Sequence, residues 1–85
     1  MEVYKKAILE KLYKLRYVGG RHTSESNVPK GFPKHARGDI KKALKALIRE
    51  GYILPKPTSY GLEVSLNPRL IAEIRKMLEI EIEHK

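Results

Sequence analysis

One apolar stripe in the middle of the chain constrains the fold most. Ile40, Ala43, Leu44, Leu47 and Ile48 recur at i, i+3, i+4, i+7 and i+8, the spacing that gathers apolar side chains on one face of an α-helix. Phe32 and Ala36 extend the stripe backward by two four-residue steps. Pro33 suits the first helical turn, where its missing N–H costs nothing, and Gly51 suits the left-handed position that closes a helix. The spacing predicts a helix over 34–50. Gly38 inside it costs about 1 kcal/mol relative to alanine, so the start can also fall near Gly38. A helix with one apolar face must bury it against other elements, and the rest of the chain has to supply them.

Tyr4, Ile8, Leu12 and Leu15 predict a first helix over 3–17, with Lys5, Lys6, Glu10, Lys14 and Arg16 on its other side and Gly19-Gly20 as its stop. Arg21-His22 can form a short extended segment. Thr23 or Ser24 can cap a second, short helix over 23–30, with Glu25 in its first turn, where the helix dipole favours an acid. Pro29 and Gly31 allow that helix barely two turns. Tyr52-Ile53-Leu54 and residues 62–66 read as strands joined by a turn-rich segment, a hairpin over 52–66 whose two prolines protect a sheet edge. Asn67-Pro68 is a strong helix start, and Leu66 can staple onto Ile71. The last helix, over 68–82, carries Leu70, Ile71, Ile74, Met77 and Leu78 on one stripe. Its end, residues 79–83, alternates with a period of two, which weakens the last turn. The expected fold is mainly α with a small β-hairpin, class α+β, as one domain over 1–85.

The order of helix, short helix, long helix, hairpin and helix, with Gly51-Tyr52-Ile53 leading into the hairpin, resembles the winged helix-turn-helix family, here in the manner of a small archaeal or thermophile protein. The resemblance covers nearly the whole chain and rests mainly on residues 32–66. It implies a three-helix core, a two-stranded wing and a C-terminal helix. It further implies that the 34–50 helix is the recognition helix, entering the major groove, while the wing touches backbone or minor groove. The broken second helix departs from the family pattern.

Charge points the same way. The net charge is +8 in 85 residues, and residues 21–56 carry nine basic side chains against three acidic ones. Such a concentration favours a directed anionic partner over general solubility. With the stripe facing inward, Lys34, Arg37, Gly38, Lys41, Lys42, Lys45 and Arg49 face outward or flank it. Arg37 and His35 are the candidates for base edges, since arginine pairs bidentately with guanine. Lys41, Lys42, Lys45, Lys30 and Arg21 suit phosphates, which supply affinity and register but little sequence reading. Lys34 belongs to the same face, and Gly38 can let a phosphate approach the helix backbone. Lys56, Thr58 and Ser59 can meet the nucleic-acid backbone from the hairpin; Tyr60 can make contact too, but packing at the hairpin base is the role expected of it. The expected function is binding of duplex DNA, as in a transcription regulator. An RNA-binding role and a protein-interaction adaptor role are the alternatives. The last helix's stripe can serve a homodimer or pack on the first helix, and the sequence favours neither.

Other classes receive little support. There are no cysteines, so neither disulfides nor thiolate sites can supplement the core, and the expected compartment is a reducing cytoplasm. No apolar run approaches the roughly 18–20 residues of a membrane span. Charged residues make up 33% of the chain, and this Lys/Glu-rich composition with few amides is that of proteins from hot environments. His22, His35 and His84 stand far apart, so no metal site and no cofactor are expected. The glycines do not have phosphate-loop spacing, Arg37-Gly38-Asp39 is a chance tripeptide, and no nucleophile has a patterned base. The chain is not expected to be an enzyme.

Overall fold

The computed structural model describes residues 2–83, with side chains through residue 79. The elements follow as α1 (Val3–Lys14), β1 (Thr23–Ser24), α2 (Asn27–Lys30), a 3₁₀ turn (Lys34–Ala36), α3 (Arg37–Arg49), β2 (Ile53–Thr58), β3 (Gly61–Leu66), a second 3₁₀ turn (Pro68–Leu70) and α4 (Ile71–Glu83). This is an α+β architecture of four helices and one antiparallel sheet in the order β1-β3-β2. The helical stripe behaves as its spacing predicts: Ile40, Ala43, Leu44 and Leu47 are buried, and Ile48 packs against them from the margin. They join Ile8, Leu9 and Leu12 of α1, Val28 of α2, Ile53 of β2, Val64 and Leu66 of β3, and Ile74 and Leu78 of α4 in one contiguous core.

Two helix ends use the same device with different residues. At the end of α3, Gly51 adopts φ +86°, with Gly51 N–H donating to Ile48 O and Tyr52 N–H to Leu47 O, both at 3.1 Å. At the end of α1, Arg16 takes the equivalent place at φ +62°, with Arg16 N–H donating to Tyr13 O and Tyr17 N–H to Leu12 O, both at 3.0 Å. Both are Schellman caps, in which a left-handed residue lets the chain turn back and satisfy orphan carbonyls. Arg16 therefore ends α1 at Lys14, three residues before the expected boundary and upstream of Gly19-Gly20. The early stop also redirects the inward face. Leu9 is fully buried while Leu15 stands half exposed, the reverse of the expected Leu15 contact.

The region 23–30 departs most from expectation. Thr23 and Ser24 form no helix but pair with Val64 and Glu63 of β3, and Glu25 N–H donates to Leu62 O at 2.9 Å. The Ser24 hydroxyl bonds Ser26 Oγ at 2.9 Å and not a helix N-terminus. The extended segment expected at Arg21-His22 thus lies two residues further on, and the sheet has three strands where a two-stranded hairpin was expected. Only Asn27–Lys30 is helical. Pro29 fits there because first-turn N–H groups lack intrahelical partners in any case.

The hairpin is longer than expected. Its register runs from Ile53↔Leu66 to Thr58↔Gly61, so Pro55, Lys56 and Pro57 lie within β2, and the connecting loop is reduced to Ser59-Tyr60. β2 is an edge strand, and its two prolines deny an incoming strand two donors. Tyr60 does not pack at the hairpin base as expected. It sits in the tip and is 98% exposed.

Asn67 caps the last helix as expected, its side chain accepting from Arg69 N at 3.0 Å, with Pro68 in the first turn. That turn is 3₁₀, and the α-helix follows from Ile71. The helical backbone continues through residue 83 despite the period-two run. Ile74 and Leu78 are buried in the core, and Leu70, Ile71 and Met77 pack partly against it. The stripe offered for a homodimer is thus occupied within the chain. Hydrogen bonding with the neighbouring Glu73 carboxylate, together with burial and the Glu73 charge, raises the Tyr52 pKa above the ordinary 10.0.

Two predictions follow from the caps and this bond. Arg16→Gly relieves a left-handed conformation unfavourable for side chains and is expected to raise stability by about 0.5–1 kcal/mol, whereas Gly51→Ala should lower it by about 1 kcal/mol; thermal melts distinguish the two signs. A raised folded-state value means the unfolded chain loses the tyrosine proton first as pH rises. The stabilisation linked to Tyr52 is therefore complete below 10.0 and is lost as pH climbs through the raised value. Denaturant titrations across that window should show a smaller loss in Tyr52→Phe.

Candidate nucleic-acid interface

Burial of positions 40, 43, 44 and 47 fixes the rotation of α3 and leaves Gly38, Lys41, Lys42, Lys45 and Arg49 exposed. Lys34 and His35, in the preceding 3₁₀ turn, are exposed as well. Lys41 and Lys45 border a depression shared with Glu25, Ser26, Pro29 and Leu44 at the α2 side. Lys42 lies toward α1, beside Asp39, Lys5 and Glu2.

Three acidic residues pair elsewhere. Glu50 binds Lys5 of α1 at 2.8 Å, Glu10 lies 3.8 Å from Lys14 within α1, and Glu63 meets His22. Among the described residues, no ion pair or side-chain hydrogen bond engages Lys34, Lys41, Lys42, Lys45 or Arg49. Lys41, Lys45 and Arg49 follow one another at four-residue spacing, where like charges repel by a few tenths of a kcal/mol per pair. The face is held together by its buried side, and neither Asp39 of α3 nor Glu25 beside Lys41 and Lys45 forms an ion pair with its cations.

Arg37 has a different position from its neighbours. Its Nε donates to Phe32 O at 3.1 Å and its Nη2 to Lys30 O at 3.4 Å, so the guanidinium laces the turn between α2 and α3. A residue offered for base edges is thus engaged in seating the helix, and His35 and Lys34 are left as the free side chains at its start. This bond also brings the end of α2, and with it exposed Lys30, next to the start of α3. Sequence spacing held no signal for it, since a five-residue step from an arginine to a backbone carbonyl has no periodicity.

Lys56, Arg21 and the hairpin form a second group. Lys56 Nζ lies 3.2 Å from His22 Nε2, while the other ring nitrogen, Nδ1, faces Glu63. His22 thereby joins the segment containing exposed Arg21 to the hairpin and occupies Lys56. Thr58 Oγ1 donates to Gly61 O at 2.7 Å and accepts from Tyr60 N at 3.2 Å, so Thr58 shapes the tip and Ser59 and Tyr60 are what it presents. Among the described residues, no side-chain bond joins this group to the α3 face. Nor do three His, Asp or Glu side chains gather as metal ligands would; His84 lies outside the described residues. No described helix is long and apolar enough to cross a membrane.

Removing Arg37 tests its structural part. Arg37→Ala should lower stability by about 1–2 kcal/mol by freeing two backbone carbonyls, and Arg37→Lys should recover little because a lysine lacks the forked donor. Denaturant unfolding of the free protein measures both.

Comparison with known proteins finds no matching family model, no matching curated protein and no matching solved structure.

Proposed function

We propose that this chain is a winged helix-turn-helix domain that binds duplex DNA, with α3 as its recognition helix and the β2–β3 hairpin as its wing. The observation that carries this reading is the row of exposed, unpaired cations Lys41, Lys42, Lys45 and Arg49 on α3, with Lys34 in the turn before it, opposite a fully committed apolar face. A polyanion relieves their mutual repulsion and releases its own counterions on contact. Straight helix geometry suits the B-DNA major groove, which admits an α-helix. The major groove of A-form RNA is too deep and narrow for side chains to read, so DNA is favoured over RNA. In this reading Lys41, Lys42 and Lys45 hold phosphates, His35 and Lys34 approach base edges, and Lys30, Arg21, Lys56, Thr58 and Ser59 add contacts from the flanks. Regulation of transcription is the cellular role that fits such a module.

Gly38 supports the same face. A Cβ built there meets nothing within 4 Å, so no packing within the chain requires glycine at a position where alanine suits a helix better. Close approach of a phosphate or groove wall supplies a reason.

Fluorescence anisotropy with a labelled duplex over a range of salt tests the reading. The Lys41→Gln/Lys45→Gln double variant should weaken binding to all sequences and reduce the salt slope by about 1.8, the share of two phosphate contacts. Parent and double variant binding alike would remove α3 from the interface. Gly38→Ala should raise the melting temperature while weakening the same binding.

A further inference from the structure

We propose that Tyr60 is a stacking platform for an unpaired base, so that the hairpin directs this domain to duplexes carrying a gap, bulge or end. The inference rests on the DNA-binding reading and names the kind of DNA that it favours. Tyr60 is 98% exposed, the most exposed of the large apolar side chains, and the fold makes no use of its ring. Its backbone, by contrast, is held. The loop is only two residues long between the Thr58↔Gly61 pair. The Thr58 hydroxyl ties both Tyr60 N and Gly61 O, and Gly61 at φ +128° completes the turn. An aromatic ring is thus carried at the closed tip of the hairpin and is open to solvent.

Ring shape decides what it can bind. In continuous B-DNA the base faces are hidden in the stack, and the minor groove, about 6 Å wide, presents only edges and sugars. A ring face gains its full contact only on a base face, which a duplex exposes where stacking is interrupted. Stacking of a base on an aromatic side chain is sequence-tolerant, so the preference concerns the state of the strand and not its sequence. Ser59 beside the ring adds a polar group for the flanking backbone.

The test compares a dumbbell duplex closed at both ends by non-nucleotide linkers, which has neither ends nor unpaired bases, with the same duplex bearing a one-nucleotide gap opposite 2-aminopurine. The parent protein should bind the gapped duplex about tenfold more tightly, within the range measured for one stacked base, and should quench the probe. Tyr60→Phe should keep the preference and Tyr60→Ala should lose it, with melting temperatures near the parent's because the ring packs against nothing. Equal binding of dumbbell and gapped duplex by the parent, or a preference that survives in Tyr60→Ala, overturns the inference. Salt-dependent dumbbell binding that falls in the Lys41→Gln/Lys45→Gln variant leaves the DNA-binding reading intact in either case, whereas loss of all duplex binding overturns both.

Discussion

Burial of the Ile40, Ala43, Leu44 and Leu47 face of α3 governs the other features, because α1, α2 and β2 pack directly against α3 while β3 and α4 join the same core against α1. α1 contributes Ile8, Leu9 and Leu12, the sheet contributes Ile53, Val64 and Leu66, and α4 contributes Ile74 and Leu78. A helix gripped along one side has no rotational freedom left. The side chains one and two steps round from the stripe, Lys41, Lys42 and Lys45, must therefore face water, however poorly they tolerate one another. A predominantly basic surface is a consequence of where the core sits, and only the lack of ion pairs between its cations and the nearby Asp39 and Glu25 calls for a functional explanation. The described acids that make ion pairs are Glu10 on α1, Glu63 on the sheet and Glu50 at the C-terminal end of α3, where it turns to Lys5 of α1.

A second constraint gathers the ends of several elements at the Leu66 end of the central strand β3. Asn67 N donates to Tyr52 O at 2.9 Å, Leu66 N to Tyr17 O at 2.8 Å, and Gly19 N to Leu66 O at 3.1 Å. The Asn67 side chain adds a bond to Gly51 O at 2.9 Å while capping the last helix. The exits of α1 and α3 and the entrance to α4 are thereby fastened around Leu66. The opposite end of the hairpin carries no such duty. The outcome is a rigid ribbon rooted in the core at Ile53 and Leu66, with a free tip that presents Ser59 and Tyr60.

Features that depend on neighbours in sequence were legible, and those that depend on distant pairing were not. The 40–48 stripe, Gly51 as a helix end and Asn67-Pro68 as a helix start each rest on local steric rules, and the structure follows them. The segment 23–30 misled because Thr23, Ser24 and Glu25 have two local options, capping a helix or extending, and pairing with residues 62–64 selects the second. Arg16 was equally hidden, since nothing in a local pattern marks an arginine for a left-handed cap. Of the candidate site, exposure of Lys34, Lys41, Lys42 and Lys45 followed directly from the periodicity. The engagement of Arg37 with Phe32 and Lys30 carbonyls and of Lys56 with His22 depended on tertiary placement. Tyr60 was expected to pack because tyrosine is rarely left fully in water, and the short loop closed by Thr58 leaves it no surface to pack on.

The most direct test of α3 as a DNA-contacting face is a ¹⁵N–¹H correlation spectrum recorded during titration with a short duplex. Amide shifts concentrated at residues 30–45, with a smaller set at residues 56–61, are the expected result. Shifts confined to α1 and α4, or a spectrum unchanged at low salt, would contradict it.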